Sequence, residues 1–159
     1  MRKSKREITD FRKIAALVGR CDTVRLGICD EGAPYVVPVS FGYEVSGGRL
    51  VLYFHGAMDG KKCGLIAKNS RVCVEGDICR GFVENGRGGV TCDYESFIGW
   101  GNAVLVSGKE AEKGLSLILG HCGFPAYACT PEVFAITAVY KIEIEEVTGK
   151  HRNLCGADL

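Results

Sequence analysis

The sequence predicts a mainly β domain, a closed or partly closed antiparallel barrel with flanking helices, and three observations carry that reading. Glycine numbers 22 in 159 residues, about twice the usual share, which calls for many tight turns. Short, alternating, β-branched segments follow one another across turn signals, as antiparallel neighbours do. Helical periodicity occurs at isolated points rather than between every pair of strands, which argues against a doubly wound parallel sheet. The length suits a single domain over residues 1–159, large enough to bury a core without disulfide or metal staples.

The elements follow in order. Ile8, Phe11, Ile14, Ala15, Leu17 and Val18 share one helical face, so a helix over 8–18 opens the chain, with Thr9 or Asp10 as N-cap and Gly19 as its end. TVRLGIC (23–29) is the first strand, and DEGAP turns the chain into YVVPVSFGYEV (35–45), completing a hairpin. Pro38 has no N–H to give a ladder, which places it at a sheet edge, at a bulge, or where backbone faces a ligand. SGG returns the chain as RLVLYFHG, the third strand. A short helix over 59–68 and a fourth strand over 72–78 come next. Residues 81–93 are glycine-dense and polar and read as a mobile excursion. Strand character returns over 97–108, an amphipathic helix covers 110–121, and a last strand covers 134–147, where IEIEEV alternates apolar with acidic. A C-terminal tail begins at about residue 150.

Charge and motifs narrow the function. Twenty basic residues against 19 acidic ones give a formal charge of +1, so no global field favours nucleic acid or an anionic membrane, and neither is expected as a partner. No stretch approaches the apolar length of a membrane span, and MRKSKREITDFRKIAALVGR lacks the apolar segment of a signal peptide. A cytoplasmic protein with reduced thiols is therefore expected. Nine cysteines without a C-x-x-C pair read as small packing residues, and no metal is expected. G-x-S-x-G, H-E-x-x-H and P-loop patterns do not occur, and the GRGG stretch at 86–89 lacks the βαβ frame of a dinucleotide site.

The richest stretch is LYFHGAMDGKK, residues 52–62. A strand ends at His55, glycines follow at 56 and 60, and Lys61 and Lys62 fall in the first turn of a helix. Cations there run against the helix dipole. A bound phosphate would offset that, held by free N–H groups, glycine backbone and an ammonium; alternatively both lysines point to water. His55 either serves a ligand, by hydrogen bonding or proton transfer, or is an edge histidine bonded to a carbonyl. Trp100 between Gly99 and Gly101 is either a core ring or a platform for a planar ligand, to which Asn102 could offer its amide.

Taken together, MRKSKREITD, GAPYVVPVSFGY, LYFHGAMDGKK, NSRVCVE, NAVLVSGK and YKIEIEEVTGK resemble, in order and spacing over roughly residues 1–152, the 5-nitroimidazole-resistance (Nim-type) flavoproteins of the pyridoxamine 5'-phosphate oxidase-like group. The resemblance implies a six-stranded antiparallel split β-barrel and a homodimer with FMN at the subunit interface. It implies that backbone of Val37, Pro38, Val39 and Ser40 meets the isoalloxazine ring. His55, Gly56 and Ala57 line the flavin or ribityl chain, Lys62 binds the phosphate with Lys61 near it, and Trp100 and Asn102 approach from the other subunit. The group commonly has an aromatic, an arginine and a serine where this chain reads Trp100, Gly101, Asn102. One activity open to the group is FMN-dependent reduction of a small molecule, of the nitroimidazole type, in which His55 either donates a proton or only positions the flavin. A non-enzymatic flavin- or haem-binding protein on the same barrel is the alternative.

Overall fold

Alternating apolar residues build one continuous antiparallel sheet, seen in a computed structural model that describes residues 4–152. A 3-10 turn at Ser4–Arg6 leads into β1 (Glu7–Ile8), α1 (Phe11–Val18), β2 (Val24–Asp30), β3 (Ala33–Val39), β4 (Phe41–Ser46) and β5 (Arg49–Ala57). Then come α2 (Lys61–Lys68), β6 (Arg71–Glu84), β7 (Val90–Val106), α3 (Gly108–His121), α4 (Pro131–Ala135) and β8 (Thr137–Arg152). The strand order is β3-β2-β6-β7-β8-β5-β4, with β1 paired to β8.

Among the described residues the strands number eight rather than six, for two local reasons. The segment 35–45 does not run straight: β3 pairs with β2 and β4 pairs with β5, so the chain turns at Ser40 from one end of the sheet to the other. Ile8, expected in the first helix, instead pairs with Gly149, and the helix starts at Phe11 with the Asp10 carboxylate accepting from Arg12 N–H at 2.8 Å.

The glycine-dense stretch is also corrected. β6 and β7 stay paired out to Glu84↔Val90, so 81–93 is mostly ladder. Only the tip turns, closed by Asn85 N–H to Gly89 O at 2.8 Å and by the Asn85 side chain accepting from Arg87 N–H at 2.8 Å. Thr130 caps α4, which has proline in its first turn, so Phe134 is helical and β8 starts three residues later than expected and runs on to Arg152. The tail beyond residue 152 lies outside the described residues.

Inward-facing side chains fill the barrel, with Leu26, Phe41, Leu52, Phe54, Val74, Phe97 and Ile142 almost wholly buried. A second cluster lies on the outer face where α3 covers Val51, Tyr53 and Val139. There α3 packs so closely that a Cβ on Gly42 would sit 2.4 Å from the α3 backbone at Leu117 and Ile118. The carboxylates of Asp93 and Glu95 are buried but compensated: Arg20 donates to Glu95 at 2.8 Å and Arg80 pairs with both. His121 Nε2 lies 2.8 Å from Cys21 O and its ring packs at a tilt against Phe41, centres 4.5 Å apart, a packing role. All eight described cysteines are free, and among the described residues no helix is long and apolar enough to cross a membrane.

Candidate functional site

The split in the barrel is set by where pairing stops. β4 leaves β5 at Phe41↔Phe54, while β5 continues through His55, Gly56 and Ala57, paired only with Val139, Ala138 and Thr137 of β8. β3, at the far end of the sheet, pairs only with β2. Two strand edges with unspent backbone donors and acceptors thus border one mouth. Lys61 ties them together. Four residues after β5, it reaches the Asp30 carboxylate at 2.8 Å and lies 4.9 Å from the Tyr35 ring centre.

Lys62 is placed differently. Its Nζ is 3.4 Å from His55 O and 5.1 Å from the Phe54 ring centre, and a Cβ on Gly56 would stand 3.0 Å from it. Among the described residues no carboxylate ion-pairs with it, whereas Lys61 has Asp30. Burial holds the Lys62 amine below the usual lysine range, while the hydrogen bond and charge of Asp30 push Lys61 up. Gly60 precedes α2 at φ 117°, a left-handed setting that favours glycine, and supplies no capping side chain. The first-turn N–H groups of α2 therefore stand beside a half-buried cation without an anion. That combination fits a phosphate-bearing group.

His55 is exposed on the same edge. Burial of its ring, then the Lys62 charge, lowers its pKa below the ordinary histidine range, so it is neutral near pH 7 and able both to accept and to donate. Cys63 donates to Ala57 O at 3.3 Å and to Asp59 O at 3.7 Å, pinning the turn between β5 and α2. Tyr140 stacks on Phe54 at 5.0 Å, and burial, then a hydrogen bond with Cys63, pushes its hydroxyl to about 12. Tyr35, Cys63 and Tyr140 were not among the sequence candidates. Only the position of Cys63, one residue after the lysine pair, could have pointed to it.

Val37 is half-buried, Val39 buried, and Pro38 and Ser40 exposed along the β3 edge. Pro38 lies opposite Arg25 on the outermost strand, so of its three open readings the sheet edge is the one observed.

Within one chain, Trp100 and Asn102 do not join this mouth. They lie on β7, whose outward row Val36, Gly27, Cys73, Trp100 runs across four strands. Trp100 is partly exposed, neither a core ring nor a free one. Asn102 donates to Glu145 at 2.8 Å and accepts from Ser70 Oγ at 3.2 Å. A cleft of about 450 Å³ opens beside it, lined by Val104, Val106, Glu110, Lys141, Glu143 and Glu145. Val104 is more than half exposed there. Among the described residues no group of histidine, cysteine and acidic side chains is arranged to hold a metal.

Comparison with known proteins bears on the arrangement. The family model for pyridoxamine 5'-phosphate oxidase matches residues 10–151. A comparison with curated proteins finds no match. Among solved structures, a 5-nitroimidazole antibiotic-resistance candidate from Bacteroides thetaiotaomicron VPI-5482 is 27% identical with a TM-score of 0.81, covering 91% of this chain and 85% of its own. A flavocytochrome of Azotobacter vinelandii (19% identical, TM-score 0.80, 100% and 75% covered) shares the fold. So does an FAD- and haem-binding protein of Mycobacterium smegmatis (18% identical, TM-score 0.77, 97% and 77% covered).

Proposed function

Because the chain belongs to the pyridoxamine 5'-phosphate oxidase family, we propose that it is a flavoprotein that binds FMN at the mouth of its split barrel and reduces a small molecule of the nitroaromatic, nitroimidazole type. The observation that carries the proposal is Lys62, a half-buried ammonium facing no carboxylate among the described residues, beside an uncapped helix start. The FMN phosphate sits there, on Lys62 and the first-turn N–H groups of α2. Lys61, already paired with Asp30, contributes a more distant charge. The free edge of β3, from Val37 to Ser40, offers backbone groups to the edge of the ring, and His55, Gly56 and Ala57 border the ribityl chain.

Bound FMN supplies the electron-transfer chemistry. The chain's own residues orient it and manage protons: neutral His55 takes a proton from solvent and delivers it to the substrate side of the mouth. The likeness to the Bacteroides 5-nitroimidazole antibiotic-resistance candidate supports that substrate class. The working unit is a cytoplasmic homodimer in which the β7 face that carries Asn102 and the exposed Val104 is covered by a second copy and Trp100 and Asn102 complete the partner's site.

The test is a titration of purified protein with FMN, FAD and haem in parallel, followed by anaerobic mixing of the chemically reduced FMN complex with a nitroimidazole. Tight FMN binding with electron transfer to the nitro group is expected. Preference for FAD, or a Soret band on haem addition with no flavin retained, would overturn the cofactor assignment, and an inert reduced complex would overturn the reaction.

A further inference from the structure

The far ends of β6 and β7 form an arm with no part in the flavin site. Among the described residues β6 has no pairing with β2 beyond Glu75, and β7 keeps β8 as a neighbour only out to Tyr94↔Arg152, so from Gly81 to the tip the described arm rests on the β6–β7 ladder. On its outer face Cys79 and Cys92 stand with their sulfurs 3.2 Å apart, and both are free thiols. Cys79 lies opposite Tyr94 and Cys92 opposite Phe82, a diagonal relation that normally leaves about 7–8 Å between partners. A register shift between Cys79 and Gly81 sets Arg80 as a bulge directly beside the pair. Arg80 is anchored there by the buried carboxylates of Asp93 and Glu95.

We propose that Cys79 and Cys92 are an oxidation site, forming a reversible cross-strand disulfide that staples the arm, with a peroxide as the oxidant. Cys79 is the more exposed thiol. Its thiolate attacks one peroxide oxygen, the O–O bond breaks, and the departing hydroxide takes up a proton and leaves as water, so Cys79 becomes a sulfenic acid. The Cys92 sulfur then attacks the Cys79 sulfur and displaces the hydroxyl, which leaves as a second water with the Cys92 proton. The two thiols lose two electrons and the peroxide gains them. The roles suit the geometry: Cys79, the more exposed thiol, meets the peroxide first, and Cys92, with its sulfur 3.2 Å away, gives up its proton to the departing hydroxyl as it attacks. The closed ring spans residues 79–92 and holds the strands together where β2 no longer supports them.

The experiment exposes the full chain to limiting hydrogen peroxide, blocks remaining thiols with N-ethylmaleimide, and digests with trypsin. The expected product has lost two hydrogen masses, reverts with dithiothreitol, and yields peptide 72–80 linked to peptide 88–109. Amide exchange over 81–93 should slow on oxidation. Cys79→Ser and Cys92→Ser should each abolish the link, and Cys73→Ser, which alters the other cysteine of the first peptide, should leave it intact. Alkylation of Cys79 and Cys92 unchanged by peroxide, a link through Cys73, or sulfinic acid at Cys79 with no link would each overturn the proposal.

Discussion

Replacing Lys62 by alanine removes the one cation that the structure leaves beside the α2 N-terminus without a carboxylate among the described residues. A hydrogen bond to a charged group contributes about 1.5–3 kcal/mol, and each 1.4 kcal/mol is about tenfold in affinity. FMN should therefore bind roughly ten- to a hundredfold more weakly to Lys62→Ala. Riboflavin, which lacks the phosphate, should bind both forms alike. Fold loss does not confuse the reading. The folded chain disfavours the charged form of Lys62, so the unliganded variant should be at least as stable as the parent. Fluorescence titration with both flavins, together with urea unfolding, separates the terms. Equal weakening of FMN and riboflavin, or unchanged FMN affinity, would refute the assignment of the phosphate to this corner.

Further outcomes follow from other contacts. Lys61→Ala should weaken FMN less than Lys62→Ala in the same titration, because Lys61 is exposed and engaged by Asp30. Gly42→Ala places a Cβ 2.4 Å from the α3 backbone and should cost about 1–3 kcal/mol or more, read from the urea midpoint. His55 has a lowered pKa in the folded chain, so the unfolded chain binds its proton first; stability should fall as pH drops below about 6.5. His55→Asn should flatten that part of a pH series of unfolding midpoints. Val104→Asp, on the exposed β7 face, should shift sedimentation from dimer to monomer and lower FMN occupancy with it.

Much of this was legible in the sequence because local chemistry decides it. Asp10 capping α1 and the alternation in 24–30 follow from residue type. Lys61 and Lys62 fall at the start of α2 as the GAMDGKK spacing predicts. What escaped depends on contacts far apart in the chain. Nothing near Ile8 announces Gly149 as its partner, and the turn at Ser40 exists because β3 and β4 find different neighbours. The glycines of 81–93 suggested a loose excursion, yet the apolar Phe82 and Val83 and the β-branched Val90 and Thr91 keep the ladder intact across them. The differing fates of the two lysines were equally hidden, since Asp30 lies thirty-one positions before Lys61. Thr130-Pro131-Glu132 was the signal left unread, a helix start by composition that shortens the last strand at its beginning.

Whether the barrel mouth holds FMN is read from the absorbance spectrum of the purified protein, taken before and after denaturation and with the released pigment identified. With FMN in the mouth, the protein shows an oxidised-flavin spectrum, as purified or on adding FMN, with one FMN released per chain. A protein that takes up no FMN, with its fold verified by circular dichroism and its Lys62 intact, would contradict that assignment.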